Sequence, residues 1–322
     1  MMAFPLTKPL VGGLRDLEYR LGVKRSELRE LLKSRAALYR PFKMPKKQHP
    51  YPGKLRRAKA KNSVVKFRQI DNPVKQLKDI QRRILINILA DVELPGYMFG
   101  AVTGRSIVAH AEQHIKNQSS TVVRMDISSY YPSITCFHVY YVWNVVLRCP
   151  PPVAKLLTEL TTFEWHLPQG APTSPAIANI YLASIYGPVC LVSEREGLTI
   201  TTWVDDLVFS GAAAREIMNP VREVLASHGF KTSPEKRDVL GTRDDKVITG
   251  TRVGRTQARV SHQKMSELRA AIHRLETGNV PPDEIDRYRQ NLSARIVHVT
   301  SIHAGDAEKL KRQAKKAGVS LK

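Results

Sequence analysis

The 322-residue chain is 42% hydrophobic, enough to fill the core of one large or two ordinary domains, which excludes a wholly disordered protein. Lys and Arg number 51 against 29 Asp and Glu, a formal charge of +22, so a polyanionic partner is the first expectation. Cys136, Cys149 and Cys190 lie far apart with no CxxC pair, which excludes a disulfide scaffold and a four-cysteine zinc site and fits a reducing cytoplasm.

The opening residues contain no long apolar run of the kind a signal peptide needs. Between Asp16 and Leu38, the residues Leu17, Leu21, Leu28, Leu31, Leu32 and Leu38 fall mostly on one helical stripe with Lys and Arg opposite. This predicts a basic amphipathic helix broken near Gly22. From Arg40 to Lys61 the chain is basic and proline-punctuated, with no acidic residue. It reads as an extended arm lying along phosphates, with Lys54, Arg56 and Arg57 as candidate nucleic-acid contacts. Val64 to Ile70 alternates as a strand, and Lys75 to Leu89 has the period of a helix with Leu77, Ile80, Ile84, Leu85, Ile88 and Leu89 inward. Thr121 to Ile127 reads as an apolar strand ending in a carboxylate, and Leu198 to Ser210 as two short strands meeting at Asp205-Asp206. Ser174 to Ser193 is the most apolar stretch, but Asn179 and Gly187-Pro188 interrupt it, so no membrane partner is expected. Three helices are predicted beyond Arg255, over Gln263 to Glu276, Asp283 to Ile302 and Asp306 to Ala317. There is no repeat of fixed period, and the irregular alternation of strands and helices predicts an α+β class.

Phosphoryl transfer assisted by two cations needs carboxylates from separate elements converging on ions about 4 Å apart. Asp126 at a strand end and Asp205-Asp206 at a hairpin have that form, with the Ile127 backbone carbonyl as a further oxygen. Such oxygen ligands suit Mg2+, so Asp126, Ile127, Asp205 and Asp206 are the candidate metal ligands. Taken singly, a strand-end Asp or an Asp-Asp turn is usually solvated turn chemistry. His110 and His114 stand four apart, but no HExxH pattern or third ligand accompanies them, and a structural or RNA-contacting role is expected.

The text around these residues resembles the reverse transcriptases. Arg124-Met-Asp-Ile-Ser-Ser-Tyr-Tyr-Pro-Ser-Ile134 is similar to their first catalytic motif, and Leu167-Pro-Gln-Gly-Ala-Pro-Thr-Ser-Pro175 to their second. Trp203-Val-Asp-Asp206 resembles the YxDD box with Trp in place of Tyr, and Gly229-Phe-Lys-Thr-Ser-Pro-Glu-Lys236 resembles the motif that follows it. A narrower resemblance is to the bacterial retron enzymes. Val65-Lys-Phe-Arg-Gln-Ile-Asp-Asn-Pro73 is similar to their fingers segment, and the stretch from Ser106 to His114 to their NAxxH element. Val247-Ile-Thr-Gly250 is similar to their VTG element. Two positions depart from the pattern: His110 stands where it has Asn, and Ile248 interrupts VTG.

The resemblance implies a right-hand polymerase fold: an N-terminal helix and arm over 1–62, fingers and palm over 63–254, and a helical thumb over 255–322. It implies RNA-templated DNA synthesis with two Mg2+ ions and dNTPs. It also implies a structured noncoding RNA as partner, priming from an RNA 2′-OH, a branched RNA-linked DNA product (msDNA), and antiphage defence with a separate effector protein. Residue by residue, Tyr131 matches the steric gate against a 2′-OH, and Gln169 with Gly170 the nucleotide-binding turn, where Ser174 and Pro175 also suit helix initiation. Arg68 matches the triphosphate-binding residue, Lys236 a general acid for the pyrophosphate, and Trp203 a neighbour of the primer end. Arg269 and Arg274 fall where a thumb grips duplex phosphate. Two other readings stay open: another bacterial defence or diversity-generating reverse transcriptase, and a polymerase-shaped RNA-binding scaffold without chemistry.

Overall fold

A computed structural model describes residues 7–45, 67–117 and 120–321, so the arm residues Lys54, Arg56 and Arg57 lie outside the described residues. Helix α1 (Leu14–Leu21) buries Leu17 and Leu21, with Asp16 in its first turn and Arg20 in its last, as the helix dipole favours. It stops at Gly22, whose φ of 61° turns its N–H back to the Glu18 and Tyr19 carbonyls. Helix α2 (Arg25–Lys33) buries only Leu28, so the basic amphipathic segment is two helices. Strands β1 (Tyr39–Pro45) and β2 (Phe67–Pro73) pair antiparallel, from Tyr39 opposite Pro73 to Pro45 opposite Phe67. The basic stretch therefore begins as a strand and not as a free arm. Pro41 and Pro45, which cannot donate to a ladder, are tolerated because a two-stranded sheet consists of edges.

Helix α3 (Lys75–Asn87) buries Leu77, Ile80 and Ile84 together with Gln81, whose Nε2 donates to the Tyr39 hydroxyl at 3.0 Å and the Leu160 carbonyl at 2.9 Å. Helix α4 (Ile107–Glu112) is capped by the Ser106 hydroxyl, which accepts from the Ala109 N–H. After β3 (Thr121–Asp126) come α5 (Tyr130–Ser133), α6 (Cys136–Tyr141), a π-helical turn over Val142–Val146, and α7 (Pro151–Thr161). Helix α8 (Ser174–Ile185) buries Ile177, Ala178, Ile180, Tyr181, Leu182 and Ala183, so its membrane-like composition is that of a core helix. Among the described residues no single helix is long and apolar enough to cross a membrane. The chain continues through α9 (Gly187–Arg195), β4 (Thr199–Trp203), β5 (Asp206–Gly211), α10 (Met218–Ser227) and β6 (Asp238–Leu240). Short strands β7 (Val247–Ile248), β8 (Thr251–Val253) and β9 (Ala258–Val260) lead into α11 (His262–Glu276), α12 (Ile285–Ile302) and α13 (Ala304–Lys316).

Two compact units result. The first takes the chain up to Pro95, Ser129–Gly187 and His228–Phe230, and holds the β1–β2 pair with most of the central helices. The second takes Gly96–Ser128, Pro188–Ser227 and the chain from Lys231 onward. It holds an antiparallel sheet in the order β4-β5-β3-β6, a smaller β7-β8-β9 sheet and the last three helices. In this unit Leu268 and Ile272 of α11, Leu292, Ile296 and Val299 of α12, and Leu310 and Ala314 of α13 form one apolar cluster. Ile296 is fully buried in it, and Ile296→Ala is expected to cost about 3 kcal/mol of stability. Urea unfolding followed by far-ultraviolet circular dichroism measures that loss.

Candidate active site

Antiparallel pairing of β3 with β5 sets Asp126 directly opposite Asp206, and pairing of β4 with β5 sets Trp203 opposite the same residue. Val204 and Asp205 are thus the two residues of a tight turn, and the Ile127 N–H donates to the Asp205 carbonyl at 3.0 Å. Asp126 and Asp206 therefore lie on adjoining strands of one sheet, with Asp205 in the turn that leads into β5. The turn carries strain. Val204 has φ of 58°, a left-handed conformation that a β-branched residue adopts at a cost of about 1–3 kcal/mol unless its surroundings hold it. Part of that surround is Gly100: a Cβ there would lie 2.5 Å from the Val204 nitrogen and 2.8 Å from the Trp203 carbonyl carbon. Beside it, the Phe99 N–H donates to the Thr202 carbonyl and the Thr202 N–H to the Tyr97 carbonyl, both at 2.8 Å.

Asp126 is buried and oriented from a third segment. The Ser233 N–H donates to its carbonyl at 2.8 Å and the Ser233 hydroxyl to Oδ2 at 2.9 Å. Since that hydroxyl has one hydrogen, the Ser128 hydroxyl, 2.7 Å away, must donate to Ser233 Oγ in turn. Nearby, Lys236 falls in the short helical turn Pro234–Lys236 before β6. Arg269 and Arg274 are exposed on α11.

Behind the Trp203 turn lies a buried polar network that joins α4, β4, β5 and the β7–β8 turn. Thr201 Oγ1 stands 2.7 Å from Nε2 of both His110 and His114. The other ring nitrogens reach Thr249 Oγ1 at 2.9 Å from His110 and Ser210 Oγ at 2.7 Å from His114. The Thr201 hydroxyl has one hydrogen, so at most one imidazole accepts from it and at least one donates to it through Nε2–H. Thr249 has φ of 48° and Gly250 φ of 76°, a turn of the type that hairpins favour, and the His110 contact holds the threonine there. His110 lies between two aromatic rings, stacked on Phe99 at 5.2 Å and on Trp203 at 5.6 Å. Both histidines are fully buried, so they do not contact RNA, and their role is structural. Burial first, with Arg124 adding to it, lowers the His110 pKa from 6.5 to about 4. Burial, then His110 and Lys116, lowers that of His114 to about 3.

The nucleotide-turn candidates lie in the first unit. The Asp71 N–H donates to the Gln169 carbonyl at 2.8 Å, while Asp71 Oδ2 accepts from the Gln169 N–H at 3.4 Å and meets His166 Nε2 at 3.2 Å. Gly170 has φ of 130°, and a Cβ there would lie 3.0 Å from Ile70 Cγ2, so only glycine fits the close approach of this turn to β2. Arg68 is exposed on β2, two residues before Ile70 and on the same strand face. Tyr131 is half-buried on α5, with its ring 5.8 Å from Tyr130, whose hydroxyl donates to the Ala178 carbonyl at 2.8 Å. Sequence reasoning missed Asp71 and Ser233 as supports, although both lie inside the motif-like segments from Val65 to Pro73 and from Gly229 to Lys236.

The donor set at the carboxylates consists of oxygens alone, which fits a hard divalent cation. Among the described residues no group of three or more His, Cys, Asp or Glu side chains closes into a metal cage. A cation held by one or two carboxylates and completed by phosphate oxygens needs no such cage.

A match to the family described as "Reverse transcriptase (RNA-dependent DNA polymerase)" covers residues 57–263, which include every residue of the carboxylate site. The chain belongs to the reverse transcriptase family, whose members use divalent metal ions. Its curated relatives place it among the bacterial retron type. It is 28% identical over 272 residues to the retron Mx65 reverse transcriptase of Myxococcus xanthus, covering 78% of this chain and 62% of that one. It is 25% identical over 288 residues to the retron Ec86 reverse transcriptase of Escherichia coli, covering 88% and 84%. To the retron Se72 reverse transcriptase of Salmonella heidelberg (strain 579083-10) it is 31% identical over 220 residues, covering 68% and 54%. The chain thus spans under two thirds of the length of the Mx65 and Se72 relatives.

Two outcomes are expected from this geometry. Because both histidines hold protons less tightly folded than unfolded, stability is complete above about pH 6.5 and falls as the pH drops toward 4. His110 alone contributes on the order of 3 kcal/mol to that fall, measurable by urea titrations between pH 4 and 8. Gly100→Ala is expected to push the Trp203–Asp206 turn out of place, lowering the melting temperature and loosening hydrogen-exchange protection at Thr202.

Proposed function

We propose that the chain is the RNA-directed DNA polymerase of a bacterial retron, copying part of a structured noncoding RNA into a branched RNA-linked DNA. The observation that supports this most is the strand register that sets Asp126 opposite Asp206 with Asp205 in the adjoining turn, inside the region matched to the family. In this reading the second unit supplies a palm around the β4-β5-β3-β6 sheet and a thumb from α11 to α13, and β1–β2 with the Gln169–Gly170 turn supplies the fingers. In this reading the boundary near residue 254 marks the start of the thumb, and the fingers begin before residue 62, at β1.

Asp126, Asp205 and Asp206, with the Ile127 carbonyl, would hold two Mg2+ ions, which when bound favour the attacking primer oxygen and neutralise the phosphate. Ser233 fixes the Asp126 carboxylate so that it need not reorganise during the reaction. Arg68 binds the triphosphate as a guanidinium fork, and the Gln169–Gly170 turn seats the nucleotide under the constraint of Asp71. Tyr131 excludes a 2′-OH, Lys236 protonates the pyrophosphate, and Trp203 packs beside the primer end. Exposed Arg269 and Arg274, and the arm residues Lys54, Arg56 and Arg57, grip phosphates of the RNA and its DNA product. The polymerase acts in the bacterial cytoplasm on dNTPs, primes from an RNA 2′-OH, and serves antiphage defence with a separate effector protein.

The test is to purify the protein from its host locus, extract the bound nucleic acid and digest it with RNase and DNase separately, beside an Asp205→Ala/Asp206→Ala double variant. A short DNA joined to RNA through an RNase-resistant branch is expected in the parent and not in the variant. Synthesis in vitro should fall by about a thousandfold or more while RNA stays bound. RNA alone in both preparations would point to a binding scaffold, and unbranched DNA to another class of reverse transcriptase.

A further inference from the structure

Two positions at which this chain departs from the retron pattern, His110 for Asn and Trp203 for the YxDD tyrosine, lie far apart in sequence and touch in the structure. Their rings are 5.6 Å apart at 26°, a stacked arrangement. His110 is fully buried and its ring plane is held at both nitrogens, by Thr201 at 2.7 Å and Thr249 at 2.9 Å. Phe99 stacks on it as well, at 5.2 Å and 26°. Trp203 is only half-buried, and its strand partner is Asp206. A ring held by three neighbours, Thr201, Thr249 and Phe99, thus supports one that borders the carboxylate turn.

We infer that His110 and Trp203 form a matched pair in which His110 is a positioning residue, acting through the Trp203 ring to set the Trp203–Asp206 turn for catalysis. Each member needs the other. Trp203 requires a flat ring behind it, which an asparagine amide does not extend far enough to supply. His110 requires an aromatic face broad enough to cover the imidazole that Thr201 and Thr249 hold in place. A tyrosine at 203 leaves part of that face uncovered, and asparagine and tyrosine together, both smaller, are predicted to fit each other again. The strained left-handed Val204, next to Trp203, makes the turn sensitive to how the indole is seated. This inference rests on the polymerase reading for its catalytic half and not for its structural half.

The test is a double-mutant cycle of His110→Asn, Trp203→Tyr and the pair, read by kcat and dNTP KM on an RNA template. Each single variant should lose kcat about tenfold or more with KM changed under threefold. The pair should recover to within about threefold of the parent. A second readout does not depend on activity: 19F spectra of protein labelled with 5-fluorotryptophan, the Trp203 signal being the one that Trp203→Tyr removes. His110→Asn should shift or broaden that signal and leave those of Trp143 and Trp165 in place. Thr249→Ala, which removes one hydrogen bond to the ring, should do the same to a smaller extent and serves if His110→Asn does not fold. An unmoved Trp203 signal, single variants that lose only melting temperature with kcat intact, or losses that multiply in the pair would each overturn the inference. A parent that makes no DNA while the Trp203 signal still responds to His110 would instead defeat the polymerase reading and the catalytic half, leaving the stacked pair established.

Discussion

The β3–β5 ladder is the constraint on which the candidate site depends. Side chains on a strand alternate with a period of two, so the alignment that places Asp126 opposite Asp206 also decides on which face of the sheet Val122, Val123, Leu207 and Phe209 pack. All four are fully buried. Val122 and Val123 face opposite sides of the strand, so both faces of the ladder are covered, and a shift of one residue would exchange the two packed sets and break the Asp126–Asp206 pairing. Bringing carboxylates together is unfavourable without a cation, and the free energy for doing so comes from the strands beneath them.

Support for the acids reaches them from segments distant in the chain. Ser233 orients Asp126, Gly100 lets the 97–101 segment lie against the Trp203–Asp206 turn, and the two histidines hold the far side of β4. In the first unit Asp71 does comparable work for the Gln169–Gly170 turn, bonding both backbone groups of Gln169. Ser233 and Asp71 are short polar side chains that fix a neighbouring segment, the kind of preorganisation that keeps reacting groups from having to rearrange.

Much of this was legible in the sequence where the signal is local. The apolar run ending at Asp126, the two strands around Asp205 and the heptad-like stripes of the C-terminal helices all follow from periodicity, because one buried face imposes it. Tyr39 to Pro45 did not read as a strand because prolines and lysines conceal a two-stranded sheet that buries little. The π-helical turn at Val142–Val146 has no compositional mark either. The histidine network was invisible for a different reason: Thr201 lies 91 residues from His110 and 87 from His114, and a hydroxyl shared between two imidazoles has no motif. The sequence left a structural and an RNA-contacting role open, and burial decides for the structural one because nothing outside the protein reaches those rings.

The left-handed Val204 bears on how freely this turn could be altered by evolution or by design. A position whose backbone disfavours its own side chain is one where most replacements differ little in local cost, since any β-branched residue meets the same strain and Gly, Asn or Asp meets less. Replacement of Val204 by Gly, Asn or Asp relieves backbone strain, and what it changes is the stiffness and shape of the tip between Trp203 and Asp205. A change at 204 thus sets relief of backbone strain against the close packing of this residue on Gly100.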